Sequence, residues 1–126
     1  MQKTIVASLL WMLFLFGCAS QQFTAVPSDL DRQNVTKKTI DVSAERYIFT
    51  PEIIRVQQGT LVTLRIRAID ATHGFQLGAF GIDERLDENE TKVVEFYASK
   101  KGEYNFHCSH VCGIGHLGMS GKVVVE

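Results

Sequence analysis

A chain of 126 residues with a formal net charge of −1 offers one domain's worth of sequence and lacks the basic excess that nucleic acid would attract. Its apolar share of 45% overstates the core, because part of that share sits in the first sixteen residues. Three cysteines, one near the N-terminus and two close together near the C-terminus, do not read as a disulfide framework.

Met1-Gln2-Lys3 gives a short basic start, and residues 5–16 form an almost unbroken apolar run. A membrane-spanning helix needs roughly 20 apolar residues, so the run suits a signal-peptide core better. It ends in Leu15-Phe16-Gly17-Cys18, which resembles the lipobox of bacterial lipoproteins. The resemblance implies cleavage of residues 1–17, removal of Trp11 with them, and a diacylglycerol on the Cys18 sulfur. The mature chain would then be lipid-anchored in the bacterial cell envelope, with its domain facing the periplasm or the exterior. Residues 18–37 are polar, with Pro27, Ser28, Asp29 and Asn34, and read as a flexible tether.

From Lys38 the apolar pattern has period two. Val62, Leu64, Ile66 and Ala68 alternate with Thr63, Arg65 and Arg67; Val94, Phe96 and Ala98 alternate with Glu95 and Tyr97. Tyr104, Phe106 and Cys108 share a parity, which aims Cys108 inward and His107 outward. Shorter strands are expected at Thr39–Val42, Tyr47–Thr50, Ile53–Gln57 and His73–Leu77, with a last one holding Val123 and Val125. Thr50-Pro51, Gly78 to Gly81 and Asp87 to Glu90 act as breakers. The acidic cluster Asp83, Glu84, Asp87, Glu88 and Glu90 reads as a solvated turn. Seven to eight short strands over residues 38–126 predict an all-β two-sheet sandwich.

Chemistry concentrates in Cys108-Ser-His-Val-Cys112-Gly-Ile-Gly-His116-Leu-Gly-Met119. Thiolate, imidazole and thioether together suit copper rather than magnesium, calcium or manganese. His73 has the parity of Phe75 and Leu77, so it faces the interior and can supply a second imidazole from elsewhere in the chain.

Residues 38–126 resemble a cupredoxin, and within that fold the binuclear copper (CuA) domain of subunit II of haem-copper oxidases. The residues that carry the resemblance are Asp70-Ala-Thr-His73-Gly-Phe75 and the Cys108-x3-Cys112-x3-His116-x2-Met119 loop. The resemblance implies a Greek-key β-sandwich whose Cys108 and Cys112 bridge two copper ions. It further implies His73, His116, Met119 and the backbone carbonyl of His110 as the remaining ligands. The activity implied is one-electron transfer through a periplasm-facing centre, in an oxidase subunit II-like module or a free-standing carrier, with no catalysis by the chain on its own. A c-type cytochrome or other small redox protein would be the donor, and a haem-copper oxidase subunit I a further partner. His110 stands where the family often has a magnesium-binding Glu, and only Tyr47 and Phe49 occupy its tryptophan-containing stretch. Four other readings compete: copper capture and transfer, a mononuclear blue-copper site, a zinc site, and a Cys108–Cys112 disulfide.

Overall fold

A computed structural model describes residues 24–126, so the expected signal segment and Cys18 lie outside the described residues. Nine strands occur among them: β1 (Thr36–Glu45), β2 (Ile48–Thr50), β3 (Ile53–Val56), β4 (Thr60–Ala68), β5 (His73–Leu77), β6 (Ile82–Leu86), β7 (Thr91–Tyr97), β8 (Gly102–His107) and β9 (Ser120–Val125). They form two sheets, in the orders β2-β1-β4-β7 and β3-β9-β8-β5-β6. β1 runs parallel to β4, and β3 parallel to β9; the other pairs are antiparallel. No helix among the described residues is long and apolar enough to cross a membrane.

The alternation is what closes the sandwich. Val62, Leu64, Ile66 and Ala68 of β4 are fully buried, while Arg65 and Arg67 on the other face are exposed. The same division places Phe96 of β7 inward and Val93 outward. The two strands nearest the C-terminal loop are pinned by an aromatic trio. Phe75 of β5 and Phe106 of β8 lie 5.0 Å apart by ring centroid, and Phe49 of β2 meets both edge-on at 5.7 and 5.3 Å. β5 and β8 share a register at a single pair, Gln76 with His107. Ring packing therefore does much of the joining there.

Two expectations are corrected. Ile82–Leu86, read as part of a solvated acidic turn, is the edge strand β6, paired with β5 from His73–Leu86 to Leu77–Ile82. Only Ile82 and Leu86 are buried, four residues apart with Asp83, Glu84 and Arg85 between them, so its alternation was hidden. An edge strand with outward charges is a common way to block strand addition. The polar stretch expected as a tether joins the domain well before Lys38. The Tyr97 N–H donates to the Ala25 carbonyl at 2.9 Å, Arg32 pairs with Glu95 at 2.9 Å, and β1 begins at Thr36. The main chain of β4 supplies the partner for Thr36, Lys37 and Lys38, so no apolar side chain was needed to announce that part of the strand.

Because the rings of Phe49 and Phe106 would collapse only partly into the space left behind, Phe75→Ala should destabilise the metal-free domain by about 3–5 kcal/mol. Denaturant unfolding reads this directly, and a loss under about 1 kcal/mol would contradict the role given to the trio.

Candidate metal centre

Three connections meet at one end of the sandwich: the β1–β2 turn, the β4–β5 loop and the long β8–β9 loop. β8 ends at His107, so Cys108 enters the loop with the inward parity of Phe106. The Cys108 N–H donates to the Met119 carbonyl at 2.9 Å and closes the loop at its base. Within it the chain makes successive tight turns, with bonds from His116 N to Gly113 O, Gly118 N to Gly115 O, and Met119 N to His116 O. Gly113 has φ +141°, a conformation that side-chain-bearing residues rarely adopt.

These turns bring the soft donors together. His73, Cys108, Cys112 and Met119 are all buried, while His110 and His116 are half-buried. Both thiols are free, and their sulfurs lie 3.6 Å apart. The donor atoms of His73, Cys108 and Cys112 all lie within 4.8 Å of one another. Cys112 Sγ is 3.8 Å from His116 Nδ1 and 3.9 Å from Met119 Sδ. The His110 carbonyl oxygen lies 3.0 Å from Cys108 Sγ, and its imidazole makes no part of the cluster. His107 is exposed, as its parity predicts.

The donors fit a soft metal. A sulfur–metal bond is about 2.3 Å long, so one ion can reach both sulfurs across their present separation. Burial, then the hydrogen bond and charge of Cys108, push the Cys112 thiol up to about 11 from its ordinary 9.0. A bound cation supplies the opposite charge that ionised thiols in such a place require. His73 Nδ1 is buried and has no hydrogen-bond partner. Its other nitrogen, Nε2, lies 2.8 Å from Asp70 Oδ1. Burial would raise the Asp70 carboxyl, but the bonds from His73 and from the Arg46 N–H outweigh it and hold Asp70 below the usual carboxylate range. An ionised Asp70 accepts from Nε2–H, which leaves the Nδ1 lone pair free for a metal.

The sequence did not name the groups that hold these donors. Asp70 stands three residues before His73, a spacing that could have flagged it. Arg46 had no local signal: its N–H donates to Asp70 Oδ2 at 3.0 Å and its Nε to the Cys112 carbonyl at 3.0 Å, so one turn residue ties both ligand loops together. The Tyr47 ring packs directly on Gly113 and Gly115. Gly74 lies so close to the loop that a Cβ there would meet Ser109 Oγ and, at 2.6 Å, the His110 nitrogen. Its own N–H points at Cys108 Sγ, 3.4 Å away.

A nine-stranded sandwich with buried thiols, imidazole and thioether at one end defines a cupredoxin-type copper-binding domain. The chain belongs to the cupredoxin-like domain family, whose model matches residues 5–125. Cytochrome c oxidase subunit 2 of Thermus thermophilus is 32% identical over 88 residues, which cover 70% of this chain and 65% of that one. The chain thus spans just under two thirds of that relative's length. A haem-copper terminal oxidase dimer superposes with a TM-score of 0.69 at 22% identity, over 77% of this chain and 69% of the other. The periplasmic domain of cytochrome oxidase subunit II of Bradyrhizobium japonicum does so with 0.65 at 19% identity, over 70% and 83%. These two likenesses concern the fold.

Gly74→Ala forces a Cβ against the backbone of the Cys108 loop and should cost about 1–3 kcal/mol. Gly78→Ala, with open space around its Cβ, is the control. A lowered denaturation midpoint for the first and an unchanged one for the second is the expected pair of results.

Proposed function

We propose that the domain is a one-electron carrier or relay whose centre holds two copper ions between the sulfurs of Cys108 and Cys112. The observation that carries this reading is the pair of buried free thiols 3.6 Å apart, faced by an imidazole nitrogen with no partner of its own. His73 would bind through Nδ1, and His116, Met119 Sδ and the His110 carbonyl would complete the set. When bound, the copper pair supplies a one-electron couple shared over two nuclei.

The protein's part is to hold the donors still. Asp70 fixes the His73 ring and its tautomer, Arg46 ties the Cys112 carbonyl to the same carboxylate, and the Gly74 N–H stabilises negative charge on Cys108. Donors that cannot move favour a low barrier to electron exchange. The burial of Cys108, Cys112, His73 and Met119 also leaves a substrate little access to an open position, which favours a carrier over a catalyst. A mononuclear blue-copper site would use one sulfur and leave the other, 3.6 Å away, without a role. Two coppers use both sulfurs.

Val111, Ile114 and Leu117 stand out from the same loop with relative exposures of 75%, 102% and 96%. This apolar rim suits the apolar edge of a c-type cytochrome or of an oxidase's subunit I. The relatedness to an oxidase subunit 2 supports such a partner. We place the domain on the periplasmic side, held to the membrane by lipid on Cys18.

Cys108→Ser or Cys112→Ser should bind at most one copper per chain and lose the parent's thiolate-to-copper colour. Met119→Leu should keep two coppers and mainly shift the potential. A cysteine variant with two coppers and an unchanged spectrum would refute the bridging assignment. A copper-transfer protein would instead hold copper weakly as colourless Cu(I). Replacing Ile114 and Leu117 together by Lys should slow electron exchange with a c-type cytochrome while leaving the copper spectrum intact, as stopped-flow mixing would show. For the anchor, labelled fatty acid should enter the parent chain in a bacterial host, and Cys18→Ser should abolish that labelling.

A further inference from the structure

Beside the centre lies a cavity of about 410 Å³ lined by Gln76, Asp83, His107, Cys108, Ser109, His116 and Leu117. Two of these residues, Cys108 and His116, are ligands in the proposed centre, so the cavity adjoins it directly. One wall is a hydrogen-bonded relay. Ser109 Oγ donates to Asp83 Oδ1 at 2.7 Å, and Gln76 Nε2 donates to Asp83 Oδ2 at 3.2 Å. Asp83 belongs to β6 and Gln76 to β5, and these strands are paired along their length with Gln76 opposite Asp83. The carboxylate is thus held by the hairpin that also delivers His73.

Ser109 lies between the two groups that matter on this side. Cys108 precedes it, and His110, whose carbonyl oxygen is 3.0 Å from Cys108 Sγ, follows it. Its backbone nitrogen and Oγ press on Gly74 from one side, while Asp83 holds the hydroxyl from the other. With Ser109 held on both sides, the backbone leading into His110 is restrained beside the sulfur. Val111, Ile114 and Leu117 point into solvent, and the loop's apolar packing, through Cys112, Met119 and Tyr47, lies beyond the 108–110 segment.

We propose that Asp83 is a positioning residue that acts through Ser109 to clamp the Cys108–His110 segment, setting the His110 carbonyl and keeping Cys108 buried at the wall of the adjoining cavity. The inference deepens the copper reading, since the clamped carbonyl is one of its ligands. It also makes a claim about the metal-free protein that stands without copper. Asp83 touches no ligand itself; it governs how often the loop opens.

The test measures alkylation of the cysteines by iodoacetamide in the metal-free protein at one pH, beside the unfolding midpoint of each variant. Loss of one hydrogen bond to a charged acceptor on a partly exposed loop corresponds to roughly fivefold to tenfold in the opening equilibrium. Asp83→Ala and Ser109→Ala should each speed Cys108 alkylation by about that factor, and each should weaken global stability by no more than that one bond. Asp83→Asn keeps an oxygen acceptor for the Ser109 hydroxyl and should stay near the parent. The double variant should be no faster than either Ala variant, because both remove the same bond. After copper loading, release to a chelator should be faster in both Ala variants and near the parent rate in Asp83→Asn. Unchanged alkylation in either Ala variant, equal acceleration by Asp83→Asn, additive effects in the double variant, or equal acceleration in the core variant Ile54→Val, which lowers global stability to a similar extent without touching the clamp, would overturn it. If copper loading fails in the parent, the copper reading falls, while the alkylation results still decide the clamp.

Discussion

Everything at the loop end of this sandwich depends on bringing two thiols and one imidazole nitrogen into contact inside the protein. Such a gathering is unfavourable on its own terms. An unpartnered buried nitrogen such as His73 Nδ1 forfeits about 1–3 kcal/mol of solvation, and the Cys112 thiol resists ionisation because it is buried beside Cys108. A fold that holds these groups together without a partner stores a deficit that a soft cation can relieve. Binding to the folded state alone would then return as stability, in proportion to the metal's affinity.

The sandwich meets that deficit with packing placed just beneath it. Phe75 sits two residues after His73 and Phe106 two before Cys108, so strand parity puts each ring under the ligand its own strand delivers. Phe49 of β2 completes the trio, and β2 follows the turn whose Arg46 and Tyr47 brace the other side of the loop. Rigidity in the core and rigidity in the ligand set are therefore one property. The sheet that holds β2 contributes further, through the long parallel register of β1 and β4 that fixes where the β1–β2 turn stands.

The sandwich was legible because its signals are local: period-two alternation in β4, β7 and β8, and breakers between them. The ligand set was legible because four of its donors crowd into one loop and His73 shares a parity with Phe75. Two kinds of feature stayed hidden. β6 has only Ile82 and Leu86 as anchors among charges, and β1 begins with the polar Thr36, Lys37 and Lys38 paired along β4, so neither shows an apolar rhythm at those points. The contacts of Arg46, Asp83 and Gly74 join residues far apart in the chain, and nothing in the immediate neighbourhood of any of them announces the partner. Asp70 is the intermediate case: it stands beside His73 in the sequence, but only the 2.8 Å contact with Nε2 gives it a role.

An electron paramagnetic resonance spectrum of the copper-loaded domain, taken with the copper content per chain, asks the central question most directly. Two metal ions held jointly by Cys108 and Cys112 predict two coppers per chain and a hyperfine pattern from an electron shared equally by two nuclei. A pattern from a single copper nucleus at every loading ratio would contradict the account.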